Sequence, residues 1–225
     1  TPSHHRVHHA INPEYIDKNY SQIFIVWDKI FGTFQDELSD VKPVYGTLTP
    51  ASTWNPIIIN FKHLWQLLKD SWNTKNIIDK IRIWFMPTGW RPDDVKLKFP
   101  VEKINNPYNL RKYNPYNSKN FVIFSWVEYL FASTMMFHLF ILFDNQSLNL
   151  NYLYAAYIFV HIYIYSSILD NKVSFKIYGL IKLFIFISLL FYQNLSWFGL
   201  NMAMTIIFGS YILISVLLPP IINNK

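Results

Sequence analysis

The sequence predicts an all-α integral-membrane protein, a cytosolic helical metal-binding segment followed by about four transmembrane helices, and three observations carry that reading. Of 225 residues, 52% are hydrophobic, 19% aromatic and only 15% charged, which is more apolar than soluble chains usually are. Charge is also confined, because all but three of the 14 acidic and four of the 20 basic side chains precede residue 121. Finally, His4-His5-Arg6-Val7-His8-His9 places four imidazoles within six residues. The chain divides accordingly into 1–34 with the histidine cluster, a polar membrane-proximal segment 35–120, an apolar segment 121–218 and a tail 219–225.

The chain opens on Thr1-Pro2-Ser3, with neither methionine nor a charged leader and apolar segment of signal-peptide type. It therefore reads as the C-terminal portion of a longer protein. Cysteine is absent, so neither disulfides nor thiolate ligands are available, and nothing points to an oxidising compartment. Histidine is left as the clustered nitrogen donor. On a helix, His5 shares a face with His8 and His9, three and four positions on. Imidazoles so placed can converge on one ion or address two neighbouring ions, and imidazole suits iron and zinc. The competing reading is a solvent-exposed histidine run. Three ligands leave an iron site incomplete, and His63, His138 and His161 stand alone, so further donors are expected upstream of Thr1.

Nine prolines from Pro13 to Pro115 cut the region before residue 121 into short pieces. Within it, 57–73 is the strongest helix candidate: Phe61, Leu64, Trp65, Leu68 and Trp72 recur at helical spacing, with Lys62 and Lys69 off that stripe. A second candidate covers 75–86. Both suit helices lying in the lipid headgroup region, or equally amphipathic helices packed on protein. Residues 105–117, NNPYNLRKYNPYN, read as a linker with interfacial Tyr, Arg and Lys anchors.

Residues 121–143 form one apolar run of 23, long enough at 1.5 Å per residue to cross about 30 Å of hydrocarbon. Runs at 152–169, 177–193 and 197–218 follow, separated by short polar breaks such as Asp144-Asn145-Gln146 and Asp170-Asn171-Lys172. The middle two approach the short limit, which leaves a helical hairpin or shallow insertion open for the third. With four antiparallel spans, Arg111, Lys112, Lys119, Lys172, Lys176 and Lys225 all fall on one side, cytosolic by the positive-inside rule. Glu128, His138 and His161 lie inside apolar runs, where ionisable groups are costly. Glu128 and His138 stand roughly 15 Å apart along one helix, so hydrogen bonding between helices is the expected use.

A longer pattern surrounds the histidines. His5-x-x-His8-His9 is followed by Asp17-Lys18-Asn19-Tyr20 and by Trp27-Asp28-Lys29-Ile30-Phe31-Gly32-Thr33-Phe34. This order resembles the last histidine box and its continuation in the membrane-bound fatty acid hydroxylase superfamily. The full string Thr1 to His9, with Ile16 to Tyr20, Val44-Tyr45-Gly46 before Thr49-Pro50, and Gly89-Trp90 with Pro92, is most similar within it to the alkylglycerol monooxygenase family. The resemblance covers about the first hundred residues well and the apolar helices in kind.

That resemblance implies a di-iron site on the cytosolic face of the endoplasmic reticulum membrane, in a multi-pass enzyme. Dioxygen and tetrahydrobiopterin would be used to hydroxylate the ether-linked carbon of an alkylglycerol, giving a fatty aldehyde and a glycerol derivative. His5, His8 and His9 match the box and are the implied iron ligands. His4 matches the string outside the box and is at most a supporting neighbour. The earlier boxes of the family are not in this sequence, so this portion alone is expected to be inactive. Asp17 and Asp28 could hold ligand imidazoles from behind, or Asp28 could cap or pair with Lys29 or Arg6. Asn19-Tyr20 and Trp27 to Phe34 are expected to pack the walls of the site, as core.

Other classes fare worse. Phosphate loops, nucleophile elbows and cysteine–histidine metal fingers are absent. Residues 1–120 carry 16 basic against 11 acidic side chains, an excess that suits an anionic bilayer surface rather than nucleic acid, since no groove-reading motif accompanies it. The alternatives kept are a sterol or acyl-lipid hydroxylase or desaturase of the same superfamily, and a non-catalytic membrane paralogue.

Overall fold

A computed structural model describes residues 1–21, 23–170 and 175–218, the side chains of 175 and 176 apart. Nine α-helices occur among them: α1 (Pro2–His8), α2 (Val26–Phe31), α3 (Pro56–Asn73), α4 (Ile77–Arg82), α5 (Asp93–Lys98), α6 (Lys119–Leu142), α7 (Leu148–Leu169), α8 (Phe175–Tyr192) and α9 (Met202–Leu217). No strand forms among the described residues, only an isolated antiparallel bridge between Ala10 and Tyr45. The all-helical expectation therefore holds. The chain divides into two compact units, one of Thr1–Ser52 with Lys62–Lys112, the other of Thr53–Phe61 with the chain from Tyr113 onward.

Helix α3, of which residues 62–73 belong to the first unit, forms where the periodicity placed it. Its apolar stripe points outward: Trp72 is 85% exposed, and Phe61, Leu64, Trp65 and Leu68 are exposed as well. The one buried residue of α3 is Asp70, which takes two bonds from the Arg91 guanidinium at 2.5 and 2.8 Å and one from Gln66 at 2.7 Å. The second candidate, 75–86, shortens to α4, whose Asn76 side chain caps it by accepting from Ile78 N–H at 3.0 Å. Its Ile77, Ile78 and Ile81 also face outward. The Asp94 carboxylate accepts from the N–H of Lys75 and the hydroxyl of Thr74. These bonds, the first above all, hold its pKa below the usual carboxylate value. Polar groups thus brace this region internally beside the buried Ile83 and Val95, while the apolar stripes of α3 and α4 face outward.

In the second unit, α6 to α9 follow one another as expected. Ser118, Ser147 and Asn201 cap α6, α7 and α9 by accepting backbone N–H bonds. Among the described residues, α6 and α7, with 24 and 22 residues, are the helices long and apolar enough to cross a membrane; α8 and α9 are shorter apolar helices. The 197–218 run is corrected here. Residues 197–201 turn before the helix begins, with Phe198 and Gly199 at φ +40° and +80°, because Trp197 and Phe198 fold inward as core. The Trp197 ring packs on Tyr157 and Phe208 at 4.8 Å each. Lys172 and Lys225, counted for orientation, lie outside the described residues, as do the Lys176 side chain, the Asn171-Lys172 break and the tail 219–225.

Asp170, at the end of α7, gathers the Thr53 hydroxyl, the Trp54 N–H at 2.6 Å and the Tyr113 hydroxyl at 3.0 Å. Burial first, and then this bond to Asp170, pushes the Tyr113 phenol up to about 12. The phenol therefore remains a donor across the whole neutral range. Asn55 reaches the same helix end through the Tyr163 carbonyl and the Ser167 hydroxyl, at 3.0 and 2.6 Å.

The expected inter-helix bonding of Glu128, His138 and His161 is found, with a partner that sequence reading missed. Lys182 of α8 donates to Glu128 Oε2 at 2.9 Å and to Ser215 at 2.7 Å, while the Tyr211 hydroxyl donates to Glu128 Oε1 at 2.8 Å. His161 Nε2 lies 3.3 Å from Glu128 Oε2. Four successive helices thus meet at one buried carboxylate. A single lysine inside the apolar 177–193 run was the available signal.

Candidate metal centre

Helix α1 begins on Thr1, whose hydroxyl accepts from His4 N–H at 3.4 Å, with Pro2 preset in its first turn. Val7 rolls inward against Ala10 and Tyr15. That rotation leaves His5 and His9 on the opposite, exposed side. His9 closes the helix by donating its N–H to the His5 carbonyl at 3.2 Å. The expected face-sharing is therefore realised: ring centroids of His5 lie 4.4 Å from His9 and 6.2 Å from His8, and those of His8 and His9 are 5.1 Å apart.

The closest approach is between the Nε2 atoms of His5 and His9, at 3.1 Å. In a metal-free site one of these nitrogens must donate to the other. Two imidazoles bound side by side to one ion at about 2.1 Å would also hold their nitrogens roughly 3.0–3.4 Å apart. Both lone pairs would then face the cation, so this pair fits two corners of a metal site. Among the described residues, no three His, Cys, Asp or Glu side chains are arranged to hold an ion, and His8 stands a ring's width away from the pair. The donor chemistry fits iron; the set is short.

The motif after the histidines proves to be a frame. Asn19, buried and at φ +54°, donates to the carbonyls of His4 and Gln35 at 3.3 and 2.8 Å and accepts from Gln35 N–H at 2.9 Å. It ties the histidine helix to the segment after α2. Asp28, also buried, spends its carboxylate on Tyr20 N–H and Ser21 N–H at 2.9 Å each and on the Thr33 hydroxyl at 2.7 Å. Among the described residues it touches neither Lys29 nor an imidazole, and Arg6 pairs with Glu37 at 2.5 Å. Gly32, at φ +74°, ends α2 in the left-handed cap conformation.

The aromatic part of the same motif corrects the expectation of a core. Trp27, Ile30 and Phe31 are exposed, Phe31 by 74%, because the short α2 turns its one buried position over to Asp28. Only Tyr20 and Phe34 approach the cluster, edge-on to His8 at 6.4 Å and to His4 at 5.4 Å. His4 Nε2 lies 3.8 Å from Asp36, while its Nδ1 is buried without a hydrogen bond. Asp17, at φ +57°, lines a hollow of about 300 Å³ with His8, His9 and Tyr20. A larger one of about 570 Å³ opens beside His5 and His9 against Tyr45, Gly46, Pro50 and Ala51. In the sequence, Tyr45, Gly46 and Pro50 entered only through the resemblance and with no chemical role.

Burial by itself would raise the pKa of Asp28, but the hydrogen bonds from Thr33, Ser21 and Tyr20 hold it below the usual value. Such a group stabilises the frame above its unfolded pKa of about 3.9 and ceases to do so as pH falls through the lower folded value. Acid titration followed by Trp27 fluorescence is expected to show the frame loosening below about pH 4, and D28N to remove that transition. Replacing Asn19 with alanine is expected to destabilise this unit by about 2–3 kcal/mol, since it strands buried backbone groups. A denaturant titration measures it.

No family model matches the chain, and no solved structure matches it significantly. Curated relatives do. The chain is 44% identical over 101 residues to the alkylglycerol monooxygenase of Caenorhabditis elegans, covering 41% of this chain and 20% of that protein. For the Homo sapiens enzyme of the same name the figures are 44% over 102 residues, 45% and 22%. The Xenopus tropicalis alkylglycerol monooxygenase extends to 140 residues at 32% identity, 62% of this chain and 31% of the relative. The chain thus spans about a fifth to a third of the length of the curated relatives it matches. Over that stretch the chain is similar to the alkylglycerol monooxygenases.

Proposed function

We propose that this chain contributes part of the di-iron centre of a membrane-bound monooxygenase that cleaves alkylglycerol ether lipids. The observation that carries the reading is the convergence of His5 and His9 at 3.1 Å, with His8 beside them, in a chain whose relatives bear that enzyme's name. His5, His8 and His9 are the ligands in this reading. Two irons require more donors than three, and the others come from beyond this helix. Bound iron supplies the dioxygen activation that side chains cannot perform, with tetrahydrobiopterin as reductant and a fatty aldehyde and a glycerol derivative as products.

The chain's own residues position and shield. Val7, buried under α1, sets which face carries the imidazoles, and Asn19 anchors that helix through the His4 carbonyl. Asp28 fixes the backbone at Tyr20, which puts the phenol ring against His8. Burial first, then a bond with Asp17, raises the Tyr20 pKa, so that at neutral pH it is a proton donor beside the cluster. The hollow against Tyr45, Pro50 and Ala51 is mostly apolar and suits an alkyl chain near the ether carbon. The outward stripes of α3 and α4, with Lys69 lying 5.4 Å over the Trp65 ring, suit the headgroup zone of the bilayer. In this reading the protein is multi-pass in the endoplasmic reticulum membrane, with about four spans here and the metal site facing the cytosol.

The test supplies membranes containing the whole protein with alkylglycerol, with and without tetrahydrobiopterin. Aldehyde formation only with the pterin is the expected outcome. Oxidation of a sterol instead, with the ether lipid untouched, contradicts the reading.

A further inference from the structure

Between α6 and α9 lies a cavity of about 360 Å³, built within the second unit and lined by Phe131, Met135, His138, Tyr154, Ile207 and Tyr211 among others. Its lining is almost wholly apolar apart from one end, where His138 Nδ1 and the Tyr154 hydroxyl are 3.1 Å apart. That is the one hydrogen bond of the His138 side chain among the described residues, so its Nε2 remains for a ligand, while the Tyr154 hydroxyl, engaged by Trp197 as well, holds the ring in place. The opposite end is closed by Phe131 stacked on Tyr211 at 4.0 Å, with the Tyr211 hydroxyl tied to Glu128 at 2.8 Å. Ile207 and Met204 line the cavity and are also exposed on the outside of α9. The cavity therefore opens sideways, between helices, to whatever surrounds them.

Depth and polarity run together here. His138 lies four residues from Leu142, the end of α6, or about 6 Å inside the helix, and Phe131 roughly 10 Å further in. Since α6 is long and apolar enough to cross a membrane, the hydrogen-bonding end sits near the bilayer surface and the apolar end towards its middle. A lipid is oriented in the same sense. The volume equals about a dozen waters, which accommodates part of one chain and not two. No Lys, Arg, Asp or Glu lines it, so an anionic phosphate or carboxylate head finds no counter-charge.

We infer that this crevice binds a single-chain amphiphile with a neutral hydroxyl or carbonyl head, drawn from the bilayer, with the head on His138 and the chain running towards Phe131. The site is independent of the reading of His5, His8 and His9, since none of its residues belongs to that cluster. The test uses the full chain in lipid nanodiscs with a photoactivatable long-chain primary alcohol, the matching alkane without the hydroxyl, and mass spectrometric mapping of labelled residues. Saturable labelling of Met135 and Met204 by the alcohol is expected. Replacing Ile207 with tryptophan should abolish it, and M204W, a plug from a second position, guards against misfolding of the first, with circular dichroism confirming helicity. His138→Leu should weaken half-saturation about fivefold for the alcohol, the worth of one neutral hydrogen bond, and leave the alkane unchanged. Labelling that never saturates and spreads over outward residues such as Phe184 and Ile214, or alcohol binding indifferent to both plugs or to His138→Leu, would overturn the inference.

Discussion

Replacing His9 with alanine in the whole protein is expected to lower ether-lipid cleavage by more than about a hundredfold, because even partners outside a metal's ligand shell cost 10–100-fold when removed. His9 is the sharpest choice for a physical reason. It borders both hollows beside the cluster, and its Nε2 makes the 3.1 Å approach to His5. Its backbone caps α1 whatever the side chain, so the alanine variant keeps the helix and isolates the ring. H4A provides the contrast: His4 faces Phe34 and Asp36 and should cost less than about tenfold, in the range of an outer partner. Equal losses for the two variants would show that the cluster is not organised around His5 and His9. Turnover measured on detergent-solubilised protein, with melting curves of each variant, separates chemistry from folding.

The second large effect is on stability. Replacing Glu128 with alanine should destabilise the α6–α9 unit by roughly 3–5 kcal/mol, because the buried Lys182 ammonium is then left uncompensated. Lys182, Tyr211 and His161 all lose their common partner. The double replacement E128L/K182M removes both charges from the apolar interior and should recover most of that loss. Equilibrium unfolding in mixed micelles reads both. An E128A variant as stable as the parent would mean that the pair binds no helices together; a double variant less stable than E128A would mean that the charges themselves are needed.

How much of this was legible beforehand depended on the kind of information each residue carries. Helix α3 could be read because Phe61, Leu64, Trp65, Leu68 and Trp72 keep a 3.6-residue period. Period shows that a stripe exists and not what it faces, and in the structure the stripe faces outward. The same limit explains Trp27 and Phe31: an aromatic string reads as core, whereas the buried members of that motif are Asn19 and Asp28, whose backbone bonds depend on a turn that composition does not reveal. Apolar length located α6 and α7 well. It overran at Trp197, because a tryptophan folded into a bundle and one inside a helix contribute equally to a hydropathy sum.

Long-range pairs were out of reach. Glu128 and Lys182 are 54 positions apart, and nothing local joins them. At the histidines the opposite holds. Spacing alone put His5, His8 and His9 on one face, since helical geometry over four residues leaves little freedom. The number of metal ions in the proposed centre was not legible for the converse reason, because in that proposal it rests on donors outside this helix.

Iron stoichiometry tests the centre most directly. The whole protein, purified under reducing conditions and analysed by elemental mass spectrometry with Mössbauer spectroscopy, is expected to hold two coupled irons per chain, and the H5A/H8A/H9A variant, shown to be folded, to hold none. Full iron occupancy in that variant would contradict the assignment of these three imidazoles as ligands.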